Sequence, residues 1–152
     1  MLYLKDNNLG INVIYANLLD RLPTNALANI NNWSYLFSIT NDFTKVNSTM
    51  LFTLNDCIYN SDNIKIAYPM EVFNLASSGA NGLLQQIEMV GKGYYSYEIY
   101  YQDSITNLDL SIAIQLYNAY LVENGKALMY DNTEEVQYKE RNTVDSNYIY
   151  VP

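Results

Sequence analysis

Chemistry needs side chains that trade protons, donate electron pairs or hold ions, so those positions come first. Histidine is absent from all 152 residues, which removes the commonest general base and the commonest transition-metal ligand together. Cys57 is the sole cysteine, so it can form neither an internal disulfide nor a thiolate cluster. Without a neighbouring base it reads as a small buried hydrophobe rather than a nucleophile. What is left is carboxylate pairs and Ser–Lys pairs. Glu134, Glu135 and Asp109 are the carboxylates on which a glycosidase-like pair would draw. Adjacent glutamates on a strand point to opposite faces, however, and the stretch that holds them has the composition of a solvated segment. Asp56, Asp62 and the asparagines at 60 and 63 offer oxygen ligands for calcium. N-x-D-N nevertheless lacks the longer acidic pattern of a calcium loop and reads as a turn. Gly91-x-Gly93 is too short for a phosphate-binding fingerprint and reads as a hairpin turn. The expectation is a non-enzymatic chain with no catalytic, cofactor-binding or metal site.

The residue type in excess is tyrosine, with 16 copies. Tyr favours strands, and its ring is an apolar face with a polar tip. The strongest strand signal is YYSYEIYYQ at residues 94–102. Its alternation puts Tyr95, Tyr97, Ile99 and Tyr101 on one face, and Tyr94, Ser96, Glu98 and Tyr100 on the other. The first set is expected to fill the core. The second set marks a sugar-binding surface or a protein–protein interface. The candidate interface residues are Tyr94 and Tyr100, together with Tyr138, Tyr148, Ile149 and Tyr150 near the C-terminus. Those last residues sit in a polar stretch too short to bury them alone, so docking on a neighbouring chain is expected to order them.

The elements that must position these residues are short. Strands are expected at residues 1–5, 11–19, 33–40, 49–54, 64–73, 83–90 and 126–130. Trp33, Tyr35, Phe37 and Ile39 share one face of the third of these, and Pro69 demotes the fifth to an edge or bulged strand. A loop with one helical turn occupies 21–32. A short amphipathic helix over 109–122 is read from the four-residue spacing of Ile112, Leu116 and Tyr120, with Gly125 as its stop. The pattern predicts an antiparallel β-sandwich over residues 1–130, with one short helix before the last strand, and an extended arm over 131–152. Gly93-x-Tyr95-x-Tyr97 has the spacing of the tyrosine-corner region of immunoglobulin-like domains. Tyr97 then stands where a disulfide-bonded domain has its second cysteine.

Hydrophobic residues make up 49% of the chain, enough for one ordinary core, while charged residues make up only 16%, against the ~25% usual for globular domains. Low charge suits a surface used for contact. Net charge is −8, which opposes binding to a nucleic-acid backbone. No apolar run is long enough for a membrane helix and the N-terminus has no basic leader, so neither a span nor a secretion signal is expected.

Several segments together resemble a known group. The opening MLYLK, the WSYLFSITND and GYYSYEIYYQ strands, the LVENGKALMY segment and the VQYKE…NYIYVP ending are similar to small immunoglobulin-like virion proteins. These belong to tailed phages of Bacteroidetes hosts, including crAss-like phages. The resemblance spans nearly the whole chain. It implies an auxiliary protein that decorates or cements the capsid shell, made in the host cytoplasm and carried in the virion. The implied partner is the major capsid protein, with self-association as a second contact. A tail or collar component, or a carbohydrate-binding adhesion module, is the alternative. The resemblance transfers no site residues.

Overall fold

The computed structural model describes residues 1–6, 10–16, 18, 21–56, 58–59, 66–73 and 79–130. The expected arm, with Tyr138, Tyr148, Ile149 and Tyr150, lies outside the described residues, as do Cys57, the 60–63 turn, Glu134 and Glu135. Runs of Tyr, Ile, Leu and Phe punctuated by Asn, Asp and Gly form strands. In chain order these are β1 (Leu2–Lys5), β2 (Asn12–Ala16), β3 (Ser34–Asn41), β4 (Asn47–Phe52), β5 (Ile58–Tyr59), β6 (Ile66–Phe73), β7 (Gln86–Glu88), β8 (Gly93–Gln102) and β9 (Tyr120–Tyr130). One α-helix, α1 (Leu110–Leu116), lies between β8 and β9. The expected helical turn in the second loop is a 3₁₀ turn at Ala26–Asn29.

The strands make two sheets, so the chain is mainly β and sandwich-like. The larger sheet has the order β1-β9-β8-β3-β4, antiparallel throughout except where β1 runs parallel to β9. The smaller has the order β2-β6-β5, and β7 pairs parallel with the far end of β6. Between the sheets sits an aromatic core. Trp33 meets Tyr35 edge-on at 5.2 Å, Tyr35 meets Phe52 at 5.4 Å, and Phe52 meets Tyr68 of the other sheet at 4.2 Å. Each large side chain fully buried there contributes roughly 1.5–3 kcal/mol. Trp33 also donates its indole N–H to the Ala26 carbonyl at 2.8 Å, fixing the 3₁₀ turn against the sandwich end. The alternation read in β8 is the observed one: Tyr95, Tyr97, Ile99 and Tyr101 are buried.

Four expectations are corrected. Pro69 is inside a central strand, not an edge. β2 pairs along one flank of β6, while on the other β5 reaches only to Ala67 and β7 begins at Glu71. Pro69, lacking an N–H, falls where that flank changes partner, so no ladder bond is lost there. Residues 83–90 form a strand only at β7, preceded by a 3₁₀ turn at Gly82–Leu84. Gly91 and Gly93 do take the positive φ of a turn, but they carry the chain from the smaller sheet to the larger instead of closing a hairpin. Finally, the helix ends at Leu116, and β9 starts at Tyr120 and runs straight through Gly125. The stop is Asn118, at φ 50°. It follows the C-cap Tyr117, and the Ala119 amide bonds back to the Ala113 carbonyl at 3.2 Å, as in a left-handed helix cap in which Asn replaces the usual Gly.

Gly125 has a different task. It stands opposite Tyr97 on β8, and a Cβ there would lie 2.8 Å from the Tyr97 hydroxyl oxygen and 2.9 Å from ring carbon Cε1. The missing side chain is the seat of the Tyr97 ring, whose other side stacks on Phe37 at 5.8 Å. At the sheet edge, Asn12 of β2 reaches across to β1. Its Oδ1 accepts from the Lys5 amide at 2.9 Å and its Nδ2 donates to the Lys5 carbonyl at 2.7 Å.

Candidate interaction surface

Alternation sends every second side chain of the larger sheet away from the core, onto an outer face with three zones. At one end the register sets Tyr94 of β8 opposite Leu128 of β9, and Leu128 opposite Tyr3 of β1. Paired residues on adjacent strands share a face, so two rings flank one leucine across three strands. Tyr3 is 64% and Tyr94 58% exposed, and Leu128 is half-buried between them. The β3–β4 turn joins this end through the Asp42 amide, which donates to the Tyr94 carbonyl at 3.0 Å. Asn41 builds that turn by accepting from the amides of Phe43 and Thr44 at 2.8 and 2.9 Å. Phe43 is thereby held out at 93% exposure.

The middle zone is polar. Ser96 donates to Asp42 at 2.5 Å, and the Lys126 ammonium reaches Asp42 at 2.7 Å and Ser96 at 2.8 Å. Lys126 foremost, then Ser96, holds the Asp42 carboxyl below its ordinary range. This is the one place where a Ser–Lys pair of the kind considered for nucleophilic chemistry comes together among the described residues. The trio clamps the β3–β4 turn to strands β8 and β9.

The third zone is covered by α1. Leu36 of β3, Leu51 of β4 and Ala113 of the helix are fully buried together, with Tyr100, Leu108, Leu110 and Ala119 packed around them. This explains why β3 is buried on both faces. A loop network places the helix. Gln102 donates to the Asn107 carbonyl at 2.8 Å, Asn107 returns a bond to Gln102 at 2.9 Å, and Ser34 donates to the Ser104 carbonyl at 2.5 Å. Asp109 caps the helix by accepting from the Ile112 amide at 3.0 Å, so this carboxylate has a structural task. At 100° per residue the apolar arc of LSIAIQL spans about 200°, yet only its centre, Ala113, is fully buried. Ile112 and Leu116 on one flank and Ile114 on the other stay exposed, Leu116 at 69%, and Ile105 and Leu121 are exposed nearby. The spacing that marked Ile112 and Leu116 as the buried face marks a flank instead.

Of the sequence-read interface residues, Tyr94 stands free on the surface. Tyr100 is half-buried beneath α1 and donates to Glu98 at 2.9 Å. Burial, followed by that carboxylate, pushes its hydroxyl up to about 12. Tyr94 and Tyr100 therefore lie in different zones. Tyr3, Leu128 and Phe43 were missed: the antiparallel β8–β9 register sets Leu128 beside Tyr94, and only the parallel pairing of β1 with β9 adds Tyr3. Asp56, weighed as a calcium ligand, accepts from the Thr53 amide at 2.7 Å and hydroxyl at 2.9 Å. Among the described residues no cluster of Cys, Asp and Glu could hold a metal ion, and no helix is long and apolar enough to cross a membrane. No protein-family model matches the chain, nor does any curated protein or solved structure.

Proposed function

We propose that this chain is a non-enzymatic, immunoglobulin-like binding module, used as an auxiliary protein on the capsid shell of a phage. Three features support the immunoglobulin-like assignment. The order β9-β8-β3-β4 corresponds to strands G-F-C-C′ of such domains, and β2-β6-β5 to B-E-D. Tyr95 donates back to the Gly91 and Val90 carbonyls at 2.7 and 2.9 Å, as a corner tyrosine does. Trp33 is buried at the start of β3, where the core tryptophan of that fold sits.

The observation that carries a binding role is the Tyr3–Leu128–Tyr94 surface. Rigid aromatic side chains on paired strands lose little freedom on contact, and exposed apolar groups in a row favour protein partners. The same ring faces would suit a sugar, but sugar hydroxyls need free polar groups beside the rings. Here Asp42, Ser96 and Lys126 bond one another. The resemblance to small virion proteins of Bacteroidetes phages supplies the partner, the major capsid protein.

Particles lacking the protein provide the test, by re-addition of purified chain and sedimentation. Wild type should saturate a fixed number of sites. Tyr3→Ser/Tyr94→Ser, and separately a chain ending at Tyr130, should remain folded yet fail to attach. Full attachment by both, or binding on a glycan array without attachment to particles, overturns the proposal.

A further inference from the structure

A polar hollow of about 380 Å³ opens at the loop end of the sandwich, within the ~300–1,000 Å³ of small-molecule sites. The β2–β3 loop supplies Asn25, Asn29 and Asn32 to its walls, and the end of β8 supplies Tyr101 and the following Asp103. Buried Trp33 and Tyr101 make its apolar floor, their rings 5.3 Å apart. The loop is held in a fixed frame. Its Ala26 carbonyl accepts from the Trp33 indole at 2.8 Å, its Ala26 amide donates to the Pro23 carbonyl at 3.0 Å, and its Asn32 amide donates to the Asn29 carbonyl at 3.0 Å. Two carboxamides take no part in that frame. Asn25 occupies the N-cap position of the 3₁₀ turn, where Asn ordinarily caps, yet its side chain makes no cap bond. Among the described residues neither it nor the Asn32 side chain has a hydrogen-bond partner, and both are exposed. Asp103 is the opposite case. Tyr101 donates to one of its carboxylate oxygens at 2.7 Å and Asn118 to the other at 2.9 Å, which fixes the group and leaves acceptor capacity on each oxygen.

We infer that this hollow binds a neutral, polyhydroxylated ligand, a sugar unit. A carboxamide presents a donor and an acceptor side by side, and neighbouring sugar hydroxyls present the complementary acceptor and donor. Asp103 accepts from a further hydroxyl, and the Trp33 and Tyr101 floor underlies the ligand's C–H groups. No Lys or Arg lines the hollow, so nothing offsets the charge of an anionic ligand beside Asp103. A cation would find a single carboxylate whose two oxygens already accept hydrogen bonds. On the outer face the polar groups bond one another, whereas here the Asn25 and Asn32 carboxamides stay open on a frame set before any ligand arrives. Such preorganisation lowers the ordering cost of binding. The site is separate from the Tyr3–Leu128–Tyr94 surface, since Tyr101 lies about 23 Å along β8 from Tyr94. It does not depend on the capsid reading.

Titration of the whole chain with neutral hexoses, N-acetylhexosamines and the matching uronic acids tests it, read by amide NMR shifts and Trp33 emission. At least one neutral sugar should bind with a millimolar Kd, as a single small unit on an open site does, and should shift the amides of residues 25–33. Its uronic acid should bind at least tenfold more weakly. Asn25→Ala/Asn32→Ala removes no frame bond and no buried group, so it should weaken binding at least tenfold with Tm unchanged. Tyr3→Ser/Tyr94→Ser should bind as wild type does. Short chains of the same unit are titrated in parallel: tighter binding by the chain identifies a glycan as the source, equal binding a free sugar, and either supports the site. No response to any neutral sugar, binding unchanged in Asn25→Ala/Asn32→Ala, or binding lost in Tyr3→Ser/Tyr94→Ser overturns it. Particle attachment is measured separately on the same variants and should follow Tyr3 and Tyr94 alone.

Discussion

Replacing Gly125 by alanine tests whether this residue seats the Tyr97 ring. A Cβ at 125 falls 2.8 Å from the Tyr97 hydroxyl oxygen, 2.9 Å from Cε1 and 3.0 Å from Cζ, well inside ordinary carbon contact. The ring cannot retreat freely, because Phe37 stacks on it and its hydroxyl donates to Glu123 at 2.9 Å. Overpacking of this kind costs roughly 1–3 kcal/mol. Against that, alanine restricts the unfolded chain more than glycine and recovers about 0.5–1 kcal/mol. The net expectation is a loss of about 1–2 kcal/mol, or roughly 2–8 °C in Tm for a chain of this size. Urea unfolding followed by Trp33 emission measures it. Combining Gly125→Ala with Tyr97→Leu removes the ring, so the cycle should show at least about 1 kcal/mol of favourable coupling. A helix stop, by contrast, would need glycine for positive φ, and the cost would then persist whatever stood at 97. A neutral or stabilised Gly125→Ala, or strict additivity with Tyr97→Leu, refutes the ring-seat account.

Other perturbations follow from named contacts. Tyr95→Phe removes the hydroxyl hydrogen shared between the Val90 and Gly91 carbonyls; a loss of about 1–3 kcal/mol in urea is expected, and a loss under about 0.5 kcal/mol would show these bonds to be dispensable. Asn118→Gly should keep the left-handed helix end, whereas Asn118→Ala should destabilise by about 1 kcal/mol through strain alone, and by more because the bond from Asn118 to Asp103 at 2.9 Å is also lost; equal Tm values for the two variants would refute this. Burial, then the hydrogen bonds to Glu123 and Glu98, raises the Tyr97 and Tyr100 hydroxyls to about 12, above their ordinary 10. The fold favours their protonated forms, so their contribution is full below pH 10 and is lost as pH climbs through 12. Tm measured from pH 8 upward should turn down from about pH 10, and a flat profile to pH 12 would contradict the burial described.

How far the sequence could be read depended on whether a residue's role was local. Alternation along β8 is a property of the strand itself, so the inward tyrosines were legible. Asn118 was passed over because Asn adopts left-handed φ less often than Gly, and Gly125 stood conveniently seven residues on. Yet Gly125 is fixed by Tyr97, a residue far away in sequence. Pro69 misled for a related reason: the rule that confines proline to edges concerns pairing at one position, and the flank beside it is empty only because β5 ends and β7 begins there. The outer surface was half legible. Tyr94 could be placed by period, while Tyr3 joins it through a parallel pairing that no local pattern encodes, and the cover over Tyr100 comes from a helix whose buried centre is a single alanine.

The bridge from Asn12 to Lys5 bears on what the outermost strand of the larger sheet can recruit. An outermost strand with vacant amides is a template for other strands, and fibrous aggregation commonly starts there. By occupying both the N–H and the C=O of Lys5, the Asn12 carboxamide imitates a neighbouring strand and blunts that end of the ladder. Addition of a further strand is thereby disfavoured at that end of β1.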